Sequence, residues 1–188
     1  MSEFVPIFRG SVNAWECDIM GHFNVQFYAA KMFEGLNHLK SQLGLDPAQN
    51  MTWQANHLLS RYQGELHAGD IVDIRAGVLA VEADRVHILA EIMNGETDDM
   101  SASFELWCDG FDNKTQQPAP WPEDIRQKMS AKVVTRTDQP RPPTVGGPVP
   151  VHAGQLSDPF VSGRGSIAAW DWDNDGVMAP QRYYAVGT

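Results

Sequence analysis

Cysteine is scarce in this sequence: only Cys17 and Cys108 occur among 188 residues, too few for a disulfide framework. No apolar run approaches the ~18 residues that a membrane-spanning helix needs. Basic residues are also outnumbered, with 14 Lys and Arg against 24 Asp and Glu and a formal net charge of −10. Nucleic acid and anionic membranes both reward a basic surface, so neither is an expected partner. The opening MSEFVPIFRG lacks the basic and apolar regions of a signal peptide, which makes the cytoplasm the expected compartment. The six histidines show no H-E-x-x-H spacing and the cysteines form no pair motif, so no metal is expected. A Gly-rich phosphate loop and the G-x-S-x-G serine elbow are missing too.

What remains is ordinary globular composition, 43% hydrophobic and 20% charged, enough for one well-filled core plus extra segments. The stretch from Arg9 to Gly44 organises the rest: an alternating run, one acid that looks buried, a Gly-His-Phe-Asn turn and an amphipathic helix. Arg9 to Trp15 reads as a strand. Val25, Tyr28, Met32, Leu36, Leu39 and Leu43 recur at helical spacing, Asn24 is a good N-cap and Gly44 a stop. Asp18, His22 and Asn24 then stand at the open N-terminus of a helix, where free backbone N–H groups and the dipole favour developing negative charge. A carboxylate beside such an oxyanion site suggests hydrolysis.

The residues W-E-C-D-I-M-G-H-F-N-V-Q-F-Y of this stretch resemble the signature of hotdog-fold acyl-CoA thioesterases of the 4-hydroxybenzoyl-CoA thioesterase type, and the likeness runs from about Phe8 to Met129. In that family an acid three residues before the glycine is catalytic, as nucleophile or as general base. It falls on Asp18, with Gly21 as the glycine and Tyr28 as the helix tyrosine. The resemblance implies an acyl-CoA substrate, with coenzyme A as part of it and no separate cofactor, and pairing as a homodimer or pseudo-dimer. His22 and Asn24 would orient water or the acid. The backbone at Val25 and Gln26, with Tyr28, would hold the thioester, and the phosphates of the coenzyme would need local cations, for which Arg61 is taken from among Arg61, Arg75, Arg85, Arg126, Lys128 and Lys132.

The chain after the helix agrees with an α+β class. Met51 to Leu66 begins a strand region and His67 to Asp70 turns. Val72 to Val78, Val86 to Ile92 and Met100 to Leu106 then alternate as an antiparallel meander joined at Glu82-Ala83-Asp84 and at Asn94-Gly95. One long central helix wrapped by a curled antiparallel sheet is the hotdog arrangement. A short helix is expected over Glu123 to Met129. The expected domains are 1–130 for the hotdog unit, 131–163 for a Pro/Gly-rich linker, and 164–188 for the truncated start of a second hotdog repeat. Arg164, Trp170, Asp173, Gly176 and Tyr183 repeat Arg9, Trp15, Asp18, Gly21 and Tyr28 without a gap, as in a longer double-hotdog protein. The second copy keeps its acid but has Val177, Ala179 and Pro180 where the first has His22, Asn24 and Val25.

Each choice has a rival. Asp18 and Asn24 also suit plain helix capping, and Glu34 and Glu65 are alternative carboxylates. Cys17 beside Asp18 reads as packing rather than as a nucleophile. The six tryptophans read as core and interface. At the level of function the rivals are an enoyl-thioester hydratase, whose H-F-P-G type stretch is missing after His22-Phe23, and a non-catalytic acyl-CoA binding module.

Overall fold

A computed structural model describes residues 4–45 and 50–136. Alternation builds the sheet. Val72, Ile74, Ala76 and Val78 of β3 (Ile71–Val81), Val86, Ile88, Ala90 and Ile92 of β4 (Arg85–Asn94), and Ala102, Phe104 and Leu106 of β5 (Met100–Asp112) are all buried. Their polar neighbours lie on the other face. These three strands form the expected antiparallel meander. With β1 (Val5–Ser11), β2 (Met51–Tyr62) and the short β6 (Gln117–Pro118), six strands among the described residues make one sheet. Its order is β1-β3-β4-β5-β2, with β6 beside β5, and every pairing is antiparallel. Neither the crossing of β2 to β5 nor the pairing of β1 with β3 could be read from local pattern.

Helix α1 (Val25–Leu43) starts and stops where its sequence places it. The Asn24 carboxamide oxygen accepts the Gln26 N–H at 2.9 Å, and Gly44 closes the end in the left-handed region with its N–H on the carbonyls of Lys40 and Ser41. Tyr28, Met32, Leu36, Leu39 and Leu43 are buried in one cluster with the sheet, whereas Val25 is only half-buried. At Gly35 the helix meets β1 so closely that an added Cβ would lie 3.0 Å from the Ile7 side chain and 3.2 Å from its carbonyl.

Two boundaries differ from expectation. The first strand ends at Ser11, because Asn13 to Glu16 forms a 3₁₀ turn instead. The Asn13 N–H donates to the Glu16 carboxylate at 2.8 Å and the Glu16 N–H to the Asn13 carbonyl at 2.9 Å. This local ring competes with the extended backbone and leaves Trp15 exposed. At the other end, α2 (Glu123–Ser130) buries Ile125 and Met129, but packing continues past Ser130. The Val134 N–H donates to the Val78 carbonyl at 2.8 Å, Val134 covers Gly77, and Arg136 pairs with Glu105 at 2.7 Å. The remaining Pro/Gly-rich stretch and the repeat at Arg164 to Thr188 lie outside the described residues. No helix among the described residues is long and apolar enough to cross a membrane.

One polar contact sits inside this apolar frame. Lys31 on the inner side of α1 meets Glu16 at 2.9 Å, both side chains being at least nine-tenths buried, and its ammonium lies over the rings of Phe8 and Phe23 at 5.4 and 5.8 Å. Lys31→Met should leave Glu16 buried without its cation and cost about 3–5 kcal/mol in urea unfolding. Glu16→Leu combined with Lys31→Met should recover most of that loss. A single substitution costing under about 1 kcal/mol would mean that the pair behaves as a solvated surface contact.

Candidate active site

The segment before α1 is a small hairpin. Cys17 and Phe23 form an antiparallel bridge, and the Asp18 N–H donates to the His22 carbonyl at 2.9 Å. The turn closes with the Gly21 N–H on the Asp18 carbonyl at 3.0 Å. Gly21 takes φ 83°, a left-handed conformation that costs a residue with a Cβ about 1–2 kcal/mol. Asp18 folds its own turn: Oδ1 accepts the N–H groups of Met20 at 2.8 Å and His22 at 3.0 Å. The hydrogen bond from His22 N–H holds the Asp18 carboxyl below its ordinary range, assisted by Met20 and opposed by partial desolvation. Asp18 is therefore ionised at neutral pH, with Oδ2 directed toward His22 Nδ1 at 4.0 Å.

The acid that is buried is Glu16, not Asp18. Glu16 is 4% exposed as a residue, whereas the Asp18 side chain is 41% exposed, at the mouth of the turn beside Ile19 and Met20, which are themselves exposed. The reversal follows from partners: Glu16 has Lys31, and Asp18 has only the outward hairpin.

The α1 N-terminus is more fully occupied than its sequence suggests. The Gln26 N–H is taken by the Asn24 side chain and the Phe27 N–H by the Asn24 carbonyl, so Asn24 is a helix cap. Among the described residues no acceptor meets the Val25 N–H, which leaves it as the open donor at the positive end of the helix dipole. Tyr28 is turned into the core, 3% exposed. Its hydroxyl accepts the Leu66 N–H at 3.2 Å and shares a proton with Ser101 Oγ at 3.0 Å. Burial raises its pKa. Those contacts consume the hydroxyl that was expected to face a ligand. Arg61 lies on β2 in register with Ser103 of β5. Cys17 donates weakly to the Asn13 carbonyl at 3.6 Å, and Cys108 is fully buried with its thiol pushed up to about 12.

Long-range pairing adds residues that local spacing did not bring here. The Phe23 N–H donates to the Leu66 carbonyl at 2.7 Å, and His22 and His67 form an antiparallel bridge. Their rings meet edge to face, 5.2 Å between centroids, and His22 Nε2 lies 3.6 Å from Glu65. Glu65 was an alternative acid in the sequence. His67 carried no signal except its place in the His67 to Asp70 turn, because a cross-chain bridge leaves no periodicity behind.

A cleft of about 630 Å³ lies elsewhere, between β1, β3 and the outer side of α1, with Arg9, Glu34, His38, Asp73 and Arg75 among its lining. None of the Asp18 group lines it. The geometry of partners and the open donor identify the Asp18 hairpin as the candidate site; the volume alone identifies only a groove.

Residues 12–129 match the sequence profile of the thioesterase-like superfamily. Among solved structures, a Staphylococcus aureus protein in complex with CoA superposes with a TM-score of 0.65 at 15% identity, covering 81% of this chain and 98% of its own. A 1,4-dihydroxy-2-naphthoyl-CoA thioesterase from Synechocystis gives 0.59 at 14% identity over 68% and 96% of the two chains. A Lactobacillus plantarum protein provisionally described as an oleoyl thioesterase gives 0.72 at 12% over 98% and 70%. At these identities the structural matches establish the fold alone. No curated protein matches the chain.

Tyr28→Phe separates a ligand contact from a core contact. It removes the acceptor of the buried Leu66 N–H, and thermal or denaturant unfolding should show a loss of about 1–3 kcal/mol. If Tyr28 instead holds a ligand directly, ligand affinity will fall with stability unchanged.

Proposed function

Since the chain belongs to the thioesterase-like superfamily, we propose that it hydrolyses an acyl-CoA thioester to the free acid and coenzyme A, with Asp18 as the reacting carboxylate. The observation that carries this reading is the division of labour within Asp18. Oδ1 is committed to two backbone N–H groups, and Oδ2 stays exposed and ionised beside His22. Such a carboxylate is fixed in place without being neutralised by a nearby cation.

Two routes use it. In one, Oδ2 attacks the thioester carbonyl, the C–S bond breaks as CoA thiolate leaves, and water opens the resulting acyl anhydride to return the carboxylate. In the other, Oδ2 takes a proton from water as that water attacks the carbonyl, the tetrahedral intermediate expels CoA thiolate by C–S cleavage, and the proton on Asp18 passes to the thiolate. In both the carbonyl oxygen gains negative charge, and the Val25 N–H at the head of α1 is the donor suited to it. His22 is placed to orient Asp18 Oδ2 or the water, and Asn24 serves by holding the helix start. Coenzyme A enters as part of the substrate; no separate cofactor is invoked. Among basic residues Arg61 is retained as the CoA contact, since β2 runs into the Gly64–Leu66 connection beside the hairpin.

The finer reading is a hotdog thioesterase of the 4-hydroxybenzoyl-CoA type, paired with a second copy or with the second repeat of a longer parent. The place of β2 at the end of the strand order among the described residues supports that pairing. A second reading places the acid at Glu34, favoured by its position on the lining of the cleft beside His38.

Asp18→Asn, confirmed folded, should lower kcat about 10²- to 10⁴-fold in an acyl-CoA panel that detects released thiol, while Glu34→Gln stays near wild type. The reverse pattern moves the acid to the helix. A wild-type chain that binds acyl-CoA but releases no thiol from any panel member is a binding module. Sedimentation at assay concentration should show a dimer, and an active monomer would contradict the pairing.

A further inference from the structure

We propose that His22, Glu65 and His67 form a site for a borderline divalent transition ion such as Zn²⁺, a ligand set assembled by the pairing of two distant segments. One potential ligand atom from each residue lies within 4.8 Å of the others, the one such group among the described residues. His22 and His67 are antiparallel bridge partners, a pairing that sets their side chains on the same face about 5 Å apart. Tetrahedral ligands at about 2.0–2.2 Å stand about 3.4 Å from one another, so the widest pair must close by little more than about 1 Å. His22 Nε2 to Glu65 is already 3.6 Å. Exposed side chains make that adjustment by rotamer motion, and the bridged backbone stays in place.

A second arrangement points the same way. Histidines that ligate an ion present their other ring nitrogen to a carboxylate, which fixes the tautomer and ring direction. Here a carboxylate stands near that nitrogen in both, beyond hydrogen-bond reach: His22 Nδ1 lies 4.0 Å from Asp18 and His67 Nδ1 3.9 Å from Asp70. Closing those gaps by less than about 1 Å would make both hydrogen bonds and leave Nε2 of each ring for an ion. Asp70 is itself held, its Oδ2 accepting the His67 N–H at 2.8 Å. Charge agrees. Asp18, Glu65 and Asp70 converge on this corner, and their only ion-pair partners among the described residues are the two histidines. A divalent cation would balance most of that charge. Two imidazoles and one carboxylate select zinc, cobalt or nickel over magnesium or calcium, and three protein ligands leave a position for water. The site shares His22 with the proposed hydrolytic site and sets its ion near Asp18, but its test reads metal binding and not turnover, so the two proposals can fail separately.

The test uses the untagged full chain freed of metal. Calorimetric titration with Zn²⁺ should show one saturable ion per chain, and Co²⁺ should give the intense visible absorption of a low-coordinate imidazole-carboxylate site. His67→Ala and Glu65→Gln, each checked for an unchanged melting temperature, should weaken Zn²⁺ by more than about tenfold, and Asp70→Asn by about 10- to 100-fold. His38→Ala, on the outer side of α1, should bind as wild type. Excess Mg²⁺ or Ca²⁺ should not displace the ion. The proposal is overturned if the wild type shows no saturable Zn²⁺ binding, if His67→Ala and Glu65→Gln bind as tightly as wild type, or if His38→Ala weakens binding as much as they do.

Discussion

The buried ion pair between Glu16 and Lys31 is the constraint around which the candidate site of this chain is arranged. An amphipathic helix can slide or rotate on an apolar sheet at small cost, because hydrophobic contact is non-directional. A charge pair held at 2.9 Å in the interior cannot slide with it. The net energy of such a pair is often near zero against apolar replacements, but separating its members is costly. Its effect is therefore on register. Glu16 also accepts from the Asn13 N–H, and its backbone carbonyl accepts the Asn24 N–H at 3.0 Å, so one residue joins the end of β1, the hairpin and the first turn of α1.

A second clamp completes the corner. Tyr28 belongs to α1, Leu66 to the β2–β3 connection and Ser101 to β5, and the Tyr28 hydroxyl touches both of the others. Together with the Phe23 N–H on the Leu66 carbonyl, it presses the 64–67 segment against the hairpin. His22 and His67 become neighbours as a consequence. The polar groups of this corner thus do two kinds of work: the buried ones fix the backbone, and the exposed ones, Asp18, Glu65 and the histidines, remain for chemistry.

Local chemistry explains what could be read in advance. Asn24 and Gly44 bounded α1 correctly because capping is decided by the cap residue itself, and the meander was visible because alternation has a period of two. The strand order was not, since β2 passes over to β5 through contacts that no local window contains. The same division holds at the site. Asp18 and His22 share one hairpin and stand out together, but local pattern does not say which acid of the stretch is the buried one, and it is Glu16. That difference lies in Lys31, fifteen positions along the chain from Glu16 and on another element. Helical spacing puts Tyr28 on the apolar stripe of α1, and the family resemblance that assigns it to a ligand does not show the hydrogen-bond partners waiting there. His67 had no local mark at all.

The exposure of Asp18 sets the remaining requirement on the proposed chemistry. Hydrogen bonds and a helix dipole stabilise a developing oxyanion well only where water is excluded, because the same charges interact several times more weakly in bulk solvent. At 41% exposed, the Asp18 carboxylate has no such shelter among the described residues. Trp15, Ile19 and Met20, which flank it, are exposed as well, an apolar rim that gains nothing from facing water. Two things can cover it: the acyl group of the substrate, or a second subunit brought in along β2. The acyl group alone leaves the solvent side of the hairpin open, since it must approach the carboxylate from the direction of Oδ2. A neighbouring chain closes the other side and desolvates the rim at the same time. If Asp18 reacts as proposed, pairing becomes a catalytic requirement, because it would supply the low-dielectric wall that the described residues leave unbuilt around that carboxylate.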